Sequence, residues 1–296
     1  NIAIVQDEEV LSASEFVIDE TNYDNYFDES GLILENSGIS DGDTLKLGNI
    51  SDKDFKINKH LTVTSNSSSD VLTNVSLVFI YGSDNSEICN LNFAGDGIDK
   101  SSIYLQNSEN IQIHDNVINI VGLEGSHNFY AIYAWASHNL AVQANVITYD
   151  GKSDGQSHTN AIYVSQSNDV VISDNQIYAK LVSVPILWVE SPPSSFNYLP
   201  DTFSEVIKFD DCKALELSTN SIEVRYSNFT GQNDSIYTVE LFWCDDAVIE
   251  DNIIYGSGHS YIYGLVIRGK DFTVSGNDII LSLDRKSGSA GMPRPI

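Results

Sequence analysis

Basic residues are scarce in this 296-residue sequence, which has 15 Lys and Arg against 42 Asp and Glu and a formal net charge of −27. A protein this acidic repels phosphate backbones and anionic lipid surfaces. The composition therefore argues against nucleic acid and membrane surfaces as partners. We expect a soluble protein that is displayed outside a cell.

Cysteine is also rare, because the chain contains only Cys89, Cys212 and Cys244, and no two of them have CxxC spacing. Three cysteines are too few for a disulfide scaffold. The 6 histidines show no zinc-binding spacing, and no phosphate-binding loop is visible. No run of apolar residues approaches the ~20 that are needed to span a bilayer. The sequence predicts no metal, no cofactor and no membrane insertion.

An internal repeat is the strongest pattern that the sequence does contain. It reads apolar, any residue, apolar, two polar or small residues, Asn, any residue, apolar, and its asparagines are Asn116, Asn145, Asn175, Asn220, Asn252 and Asn277. Apolar residues at a period of two indicate a strand with one buried face. We expect each asparagine to form a corner in left-handed backbone geometry. Its side-chain amide is expected to donate to the next asparagine in the stack, which makes a ladder.

The spacing between these asparagines is irregular, at 29, 30, 45, 32 and 25 residues. A β-solenoid tolerates such variation, since loops of different length can leave its corners while the strands keep their register. The sequence therefore predicts an all-β fold, a right-handed single-stranded parallel β-helix with an N-terminal cap. Right-handed winding is the rule for parallel strands that are joined by crossovers.

The repeat divides the chain into three parts. Residues 1–50 do not fit it and are predicted to cap the solenoid, because an open end exposes apolar side chains and unpaired strand edges. Residues 51–283 are predicted to form about eight stacked coils, with one long loop at 181–205 that is rich in aromatic residues and proline. Residues 284–296, which contain a run of Gly, Ser and Pro, are interpreted as a linker or tail.

Three segments before the repeat resemble the β-helix domains of adhesin-like surface proteins of methanogenic archaea. They are Asn22–Asp28, Ser40–Leu45 and Asp54–Val63, and the resemblance extends over roughly residues 20–283. It implies a secreted protein of the cell surface or cell envelope that binds glycans or proteins on other cells. On this basis the first hypothesis for function is an extracellular adhesin whose long flank binds its ligand.

A row of aromatic residues is the candidate binding surface. Tyr104, Tyr133 and Tyr163 fall at one repeat position on successive coils, and Trp135 follows Tyr133 by two residues. These side chains alternate with inward-facing apolar residues, so we expect them to point outward. A ladder of exposed rings suits the stacking of sugar rings. Cross-strand aromatic packing, which stabilises a sheet without any ligand, is the alternative.

A polysaccharide-degrading enzyme on the same scaffold is the second hypothesis. Asp210 and Asp211 resemble the paired-Asp motif of polygalacturonases, and His259 loosely resembles a later motif of that family, whose upstream Asn-Thr-Asp motif is absent here. Two carboxylates can act as acid and base in inverting glycoside hydrolysis when they lie ~6.5–9.5 Å apart. A lyase similar to pectate lyases, with calcium-binding aspartates and a basic residue, is the other form of this hypothesis.

Cys212 and Cys244 share one repeat position on adjacent coils. Neighbouring strands lie ~4.8 Å apart, which is within the Cα separation of a disulfide. The pair is therefore a candidate disulfide. Two stacked free thiols that fill the core are the alternative, which a reducing, anaerobic environment favours.

Overall fold

The structure of the protein is a computed structural model that describes residues 13–98, 100–122, 129–153, 159–183, 203–228, 235–258 and 261–283. Over these residues the chain forms 25 strands, numbered β1 to β25 in chain order, and one 3-10 turn at Tyr23–Asn25. The strands pair in parallel and stack coil on coil. This confirms the prediction of an all-β, parallel β-helix. No described helix has the length and apolar character needed to cross a membrane.

The strands form three faces that run along the solenoid. The first face contains β1 (Glu15–Ile18), β2 (Thr44–Leu47), β5 (Thr62–Ser65), β8 (Glu87–Cys89), β11 (Gln112–His114), β14 (Leu140–Gln143), β17 (Asn168–Ser173) and β20 (Lys213–Ser218). The second face contains β4 (Asp54–Ile57), β7 (Ser76–Phe79), β10 (Ile103–Gln106), β13 (Phe129–Trp135), β16 (Thr159–Ser165) and β19 (Phe203–Asp210). Two long strands cross from the second face to the first: β22 (Ser235–Glu250) and β24 (Tyr261–Ser275).

The third face is a nine-stranded sheet. Its strands are β3 (Ile50–Ser51), β6 (Leu72–Thr73), β9 (Asn92–Ile98), β12 (Val117–Gly122), β15 (Val146–Ser153), β18 (Gln176–Ser183), β21 (Ser221–Asn228), β23 (Ile253–Gly258) and β25 (Asp278–Leu283). The core lies between the three faces, where apolar residues of one repeat position stack on those of the next coil. One such column on the first face is fully buried and consists of Ile88, Ile113, Val142, Ile172, Leu217 and Ile249.

A ladder of asparagine side chains occupies the corner between the first and third faces. The Nδ2 group of each donates to Oδ1 of the next, at 2.8–3.0 Å, in the order Asn116, Asn145, Asn175, Asn220, Asn252, Asn277. Each of these amides also binds backbone. Asn175, for example, accepts from the backbone N–H of Asn145 and donates to the carbonyl of Val142. The ladder thus satisfies buried polar groups on successive coils, as buried groups require.

The backbone geometry of this corner corrects one part of the prediction. The left-handed residue is the one before each ladder asparagine, with φ of 56° at Asp115, 57° at Asp174 and 54° at Asp251. None of the ladder asparagines is among the described residues with positive φ. The asparagine recurs because its inward-pointing amide binds several backbone groups, and not because of left-handed backbone preference.

The described part of the predicted cap, residues 13–50, is continuous with the solenoid. Its strands β1 and β2 pair with each other, and β2 pairs with β5, so they extend the first face. The buried rings of Tyr23 and Phe27 pack against Phe55, with centroids 5.1 and 4.8 Å away. These rings bury apolar surface at the N-terminal end. Residues 1–12, most of the predicted loop at 181–205 (184–202) and the predicted tail at 284–296 lie outside the described residues.

Replacing one ladder residue should destabilise the whole stack. Asn175→Ala leaves the backbone N–H of Asn145 and the carbonyl of Val142 without this partner in the core. We expect the free energy of unfolding to fall by about 2–4 kcal/mol, because each unsatisfied buried group costs about 1–3 kcal/mol. Urea denaturation followed by circular dichroism measures the change. The control Asn119→Ala, at an exposed position on β12, should change it by less than about 0.5 kcal/mol. Equal effects of the two substitutions would contradict a structural ladder.

Candidate functional site

One outward-facing position of the second face changes from aromatic to charged along the solenoid. In register, it holds Tyr104, Tyr133 and Tyr163, followed by Lys208 and Glu240 on the next two coils. All of these residues follow or precede buried apolar neighbours, which is why their side chains point away from the core. The row of tyrosines therefore leads directly into a group of charged residues.

The three tyrosines stack on one another. The ring centroids lie 4.9 Å apart for Tyr104 and Tyr133 and 5.1 Å apart for Tyr133 and Tyr163, with 6° between the ring planes in both pairs. Burial raises the pKa of the Tyr133 hydroxyl to about 12, with smaller contributions from neighbouring groups. The ring faces are thus used for cross-strand packing. A role of these rings in stacking on sugars stays a prediction.

Two hydrogen bonds connect this row to the next part of the surface. The hydroxyl of Tyr163 donates to Oδ2 of Asp210 at 3.4 Å. The indole Nε1 of Trp135 donates to Oε1 of Gln166 at 3.1 Å. Asp210 and Gln166 both line an open cleft at the corner between the second and first faces. The predicted binding residues therefore adjoin this cleft.

Two buried glutamates lie at the point where the row becomes charged. Glu205 on β19 and Glu240 on β22 are each 3% exposed. Lys208 Nζ lies 3.1 Å from Glu205 Oε1 and 3.6 Å from Glu240 Oε2, so that it bridges the two carboxyl groups. Arg268 Nη2 approaches Glu240 Oε1 at 3.8 Å. We call these four residues the charged centre.

The carboxyl group of Glu240 holds a proton more firmly than an ordinary glutamate. Burial raises the pKa of Glu240, and the charge of Glu205 and a hydrogen bond to it raise it further, against the opposing effect of Lys208 and Arg268. Glu205 Oε2 is buried and has no donor among the described residues. A protonated carboxyl group is a donor. A proton on Glu240 can therefore serve as the donor that Glu205 lacks.

An open cleft lies beside the charged centre, at the corner between the second and first faces. Its volume is about 890 Å³, and its lining consists of Ser165, Gln166, Asp210, Asp211, Phe242, Trp243, Asp245, Arg268, Gly269 and Lys270. A smaller cavity of about 270 Å³ reaches Glu205, Lys208 and Glu240. Asp210, Phe242 and Arg268 line both. The buried acids thus line a cavity that adjoins the cleft.

Trp243 lies at the edge of the cleft in an unusual conformation. Its side chain is 69% exposed and its backbone has a φ of 56°. The equivalent corner positions on earlier coils, Ala136, Gln166 and Asp211, have φ values of 48°, 52° and 53°. Left-handed backbone is unfavourable for a bulky residue and costs about 1–3 kcal/mol. The ring packs edge-on against Phe242 at 5.5 Å, which holds it beside the groove.

Asp210 and Asp211, the catalytic candidates of the second, enzymatic hypothesis alone, both line the cleft. Asp211 is exposed and occupies the left-handed corner position. His259, the third residue of that prediction, lies outside the described residues. The structure therefore brings Asp210 together with Glu205 and Glu240 in the smaller cavity, whereas Asp211 lines the cleft. Neither glutamate was predicted as a site residue. The signal available in the sequence was a charged residue, Glu240, at the position that tyrosine holds on earlier coils.

Cys212 and Cys244 are buried beneath the cleft, on adjacent coils. Both are free thiols in the structure. A thiol hydrogen bond between them raises the pKa of Cys212 and lowers that of Cys244. The spacing that made them a candidate disulfide thus also suits a pair of stacked thiols.

A second cluster, on the first face, combines three kinds of metal-binding side chain. A carboxylate oxygen of Glu87, Sγ of Cys89 and a ring nitrogen of His114 all lie within 4.8 Å of one another. The sequence predicted no metal site because its histidines and cysteines lack metal-ligand spacing along the chain. Coil stacking brings these residues together across strands β8 and β11, where Cys89 lies opposite His114.

Comparisons with solved structures find distant likeness. The A-module of the mannuronan C-5 epimerase AlgE4 of Azotobacter vinelandii shares 14% identity over 92% of this chain and 87% of that chain, with a TM-score of 0.36. ORF18 of Geobacillus virus E2 shares 12% identity over 90% of this chain and 61% of that chain, with a TM-score of 0.28. The catalytic domain of a GH87 alpha-1,3-glucanase in complex with nigerose shares 11% identity over 94% of this chain and 64% of that chain, with a TM-score of 0.21. At these TM-scores the likeness carries no argument about function.

Among curated proteins no match is found. A family model does match, the one described as "Periplasmic copper-binding protein (NosD)", over residues 1–195. The periplasm belongs to the cell envelope, so the family agrees with the expected location in this coarse sense. Nothing in the match shows an archaeal origin or an adhesin role, so the narrower resemblance to methanogen adhesins stays a prediction. The chain belongs to the NosD family of periplasmic parallel β-helix proteins.

Proposed function

We propose that the protein is a polysaccharide-degrading enzyme whose cleft binds a glycan chain and whose charged centre supplies acid–base catalysis. The observation that carries this proposal is the buried pair Glu205 and Glu240, which lines a small cavity next to an open cleft. Two acids buried side by side are unfavourable for folding, even when lysine and arginine partly compensate their charge. Such groups are characteristic of sites that perform chemistry.

The raised pKa of Glu240 suits it to act as a general acid. Burial and the neighbouring Glu205 favour the protonated form of Glu240 at a pH where an isolated glutamate is ionised. In glycoside hydrolysis this proton goes to the oxygen of the leaving sugar. Lys208 bridges both carboxyl groups, so it stabilises the negative charge that remains after the transfer.

The second carboxylate that hydrolysis requires comes from the cleft lining. Asp210 and Asp211 face the groove, and Asp210 is held by the hydroxyl of Tyr163. A carboxylate at this position can activate water as a general base or attack the sugar directly. Arg268 and Lys270, with side chains 52% and 71% exposed, can bind acidic groups of a uronate-containing chain. β-Elimination from a uronate is therefore the second reaction to test.

Aromatic residues provide the sugar-binding surface of the proposed site. The exposed ring of Trp243 presents a face at the groove edge, where a sugar ring can stack on it. The tyrosine row extends along the second face from the charged centre and offers hydroxyl groups to a longer chain. Glycan binding without turnover, the adhesin hypothesis, uses the same surface and is the alternative outcome of the experiment.

The family description also names copper. Copper ions take thiolate and imidazole ligands. Among the described residues, Glu87, Cys89 and His114 offer a thiol, an imidazole and a carboxylate together, so the donor set fits such an ion. No step of the proposed glycan chemistry involves these residues, because they lie on the first face and outside the cleft.

The enzyme should release products from at least one polymer in a panel of neutral and uronate-containing polysaccharides. A reducing-sugar assay detects either reaction, and absorbance of unsaturated products identifies β-elimination. Glu240→Gln should lower turnover about 100-fold or more, the usual effect of losing a general acid. The control Glu223→Gln, on the third face, should leave it unchanged. Binding of a glycan without products by the native protein would favour an adhesin and overturn the proposal.

The pH dependence of stability tests whether folding raises the pKa of Glu240. Because folding raises the pKa of Glu240 above its ordinary value of about 4.5, its protonated form stabilises the folded protein at low pH. This contribution is lost as the pH rises through the raised value, where Glu205 faces the new charge and Lys208 and Arg268 offset part of it. Glu240→Gln should therefore gain stability relative to the native protein as the pH increases from 4.5 upward. A constant difference between the urea midpoints of the two proteins across this pH range would contradict a raised pKa of Glu240.

A further inference from the structure

We infer that Glu87, Cys89 and His114 form a binding site for a borderline-soft transition-metal ion of the zinc and copper class. The site is separate from the proposed catalytic cleft. It lies on the first face, on coils nearer the N-terminus, whereas the cleft is built from later coils at another corner.

The strand register places the three side chains on one surface. Strands β8 and β11 pair in parallel with Glu87 opposite Gln112 and Cys89 opposite His114. Glu87 and Cys89 flank the fully buried Ile88, so both of their side chains lie on the outer side of the strand. Since this register is fixed by the solenoid, the cluster forms without any loop having to move.

The separations suit a metal ion better than a chance contact. All three donor atoms lie within 4.8 Å of one another. Metal–ligand bonds of ~2.0 Å to nitrogen and oxygen and ~2.3 Å to sulfur place tetrahedral ligand atoms ~3.3–3.6 Å apart. Small side-chain rotations are enough to bring the three donor atoms from their present separations to those of a tetrahedral metal site. Glu87, whose side chain is 41% exposed, is free to make the largest of them.

His114 is oriented as a metal-binding imidazole. Its Nδ1 lies 2.8 Å from Oδ2 of Asp115, and its Nε2 points toward Glu87, 2.8 Å from Oε1. A carboxylate on one ring nitrogen fixes the proton there and leaves the other nitrogen as the metal ligand, an arrangement that recurs in metal sites. Asp115 is itself held at the left-handed corner, with a φ of 56°.

A simpler explanation is a charged imidazole held between two carboxylates. That arrangement accounts for Glu87 and Asp115, yet it does not require a thiol, and Cys89 offers one beside them. A thiolate, an imidazole and a carboxylate together form the donor set of zinc and copper ions, whereas calcium and magnesium take oxygen ligands. With His114 26% exposed, solvent can supply both the ion and a further water ligand.

Cobalt(II) is a suitable probe, because thiolate ligation produces a near-ultraviolet charge-transfer band and a tetrahedral site absorbs strongly in the visible. The full chain, stripped with a chelator, is titrated with cobalt(II). We expect one equivalent to produce both bands, and zinc(II) or copper(I) to abolish them by displacement. Displacement midpoints for the two ions then identify which of them the site prefers.

Variants assign the bands to the cluster. Cys89→Ser should remove the charge-transfer band, His114→Gln should weaken binding at least about tenfold, and Asp115→Asn should weaken it about 10–100-fold as an orienting residue. Circular dichroism checks that each variant is folded. The control Cys212→Ser alters a buried thiol far from the cluster and should leave both bands intact. Absence of the charge-transfer band in the native protein, or its persistence in folded Cys89→Ser, would overturn the inference.

Discussion

The register of the parallel strands is the constraint on which the rest of this structure depends, and the buried asparagine ladder holds it. Each amide binds backbone groups and the amide of the next coil. A slip of one residue would turn the apolar face of a strand outward and leave these buried polar groups without partners. The described strands keep this register on every coil, although the number of residues between third-face and following second-face strands varies.

Because the register is fixed, residues at one repeat position lie above one another on successive coils and form a column. Residues of the proposed catalytic site differ in type from the other residues of their columns. Tyrosines occupy one outward position until Lys208 and Glu240 replace them. The corner position beside it holds small or polar residues until it holds Trp243. Buried charge and strained backbone both oppose folding, and their coincidence beside one cleft supports the proposed catalytic site.

The sequence was sufficient to predict the fold, since period-two apolar residues and a recurring asparagine are local signals. It did not reveal which corner residue is left-handed: the recurring residue is Asn116 or its equivalents, while the strain falls on the preceding Asp115. Glu205 and Glu240 were not predicted because their importance lies in their burial and in their ion pairs with Lys208 and Arg268, which only the stacked coils show. Cys89 and His114 were not predicted as metal ligands, because spacing rules for such ligands apply to one segment of the chain. Here the candidate ligands come from two coils.

Infrared spectroscopy of the carboxyl groups tests most directly the central claim that this register buries Glu240 beside Glu205 and so raises its pKa. We predict a C=O stretching band of a protonated carboxylic acid that persists above the pH range in which ordinary glutamates ionise, shifts in deuterium oxide and disappears in Glu240→Gln. A spectrum in which every carboxyl group is ionised once the pH has passed that range would contradict it.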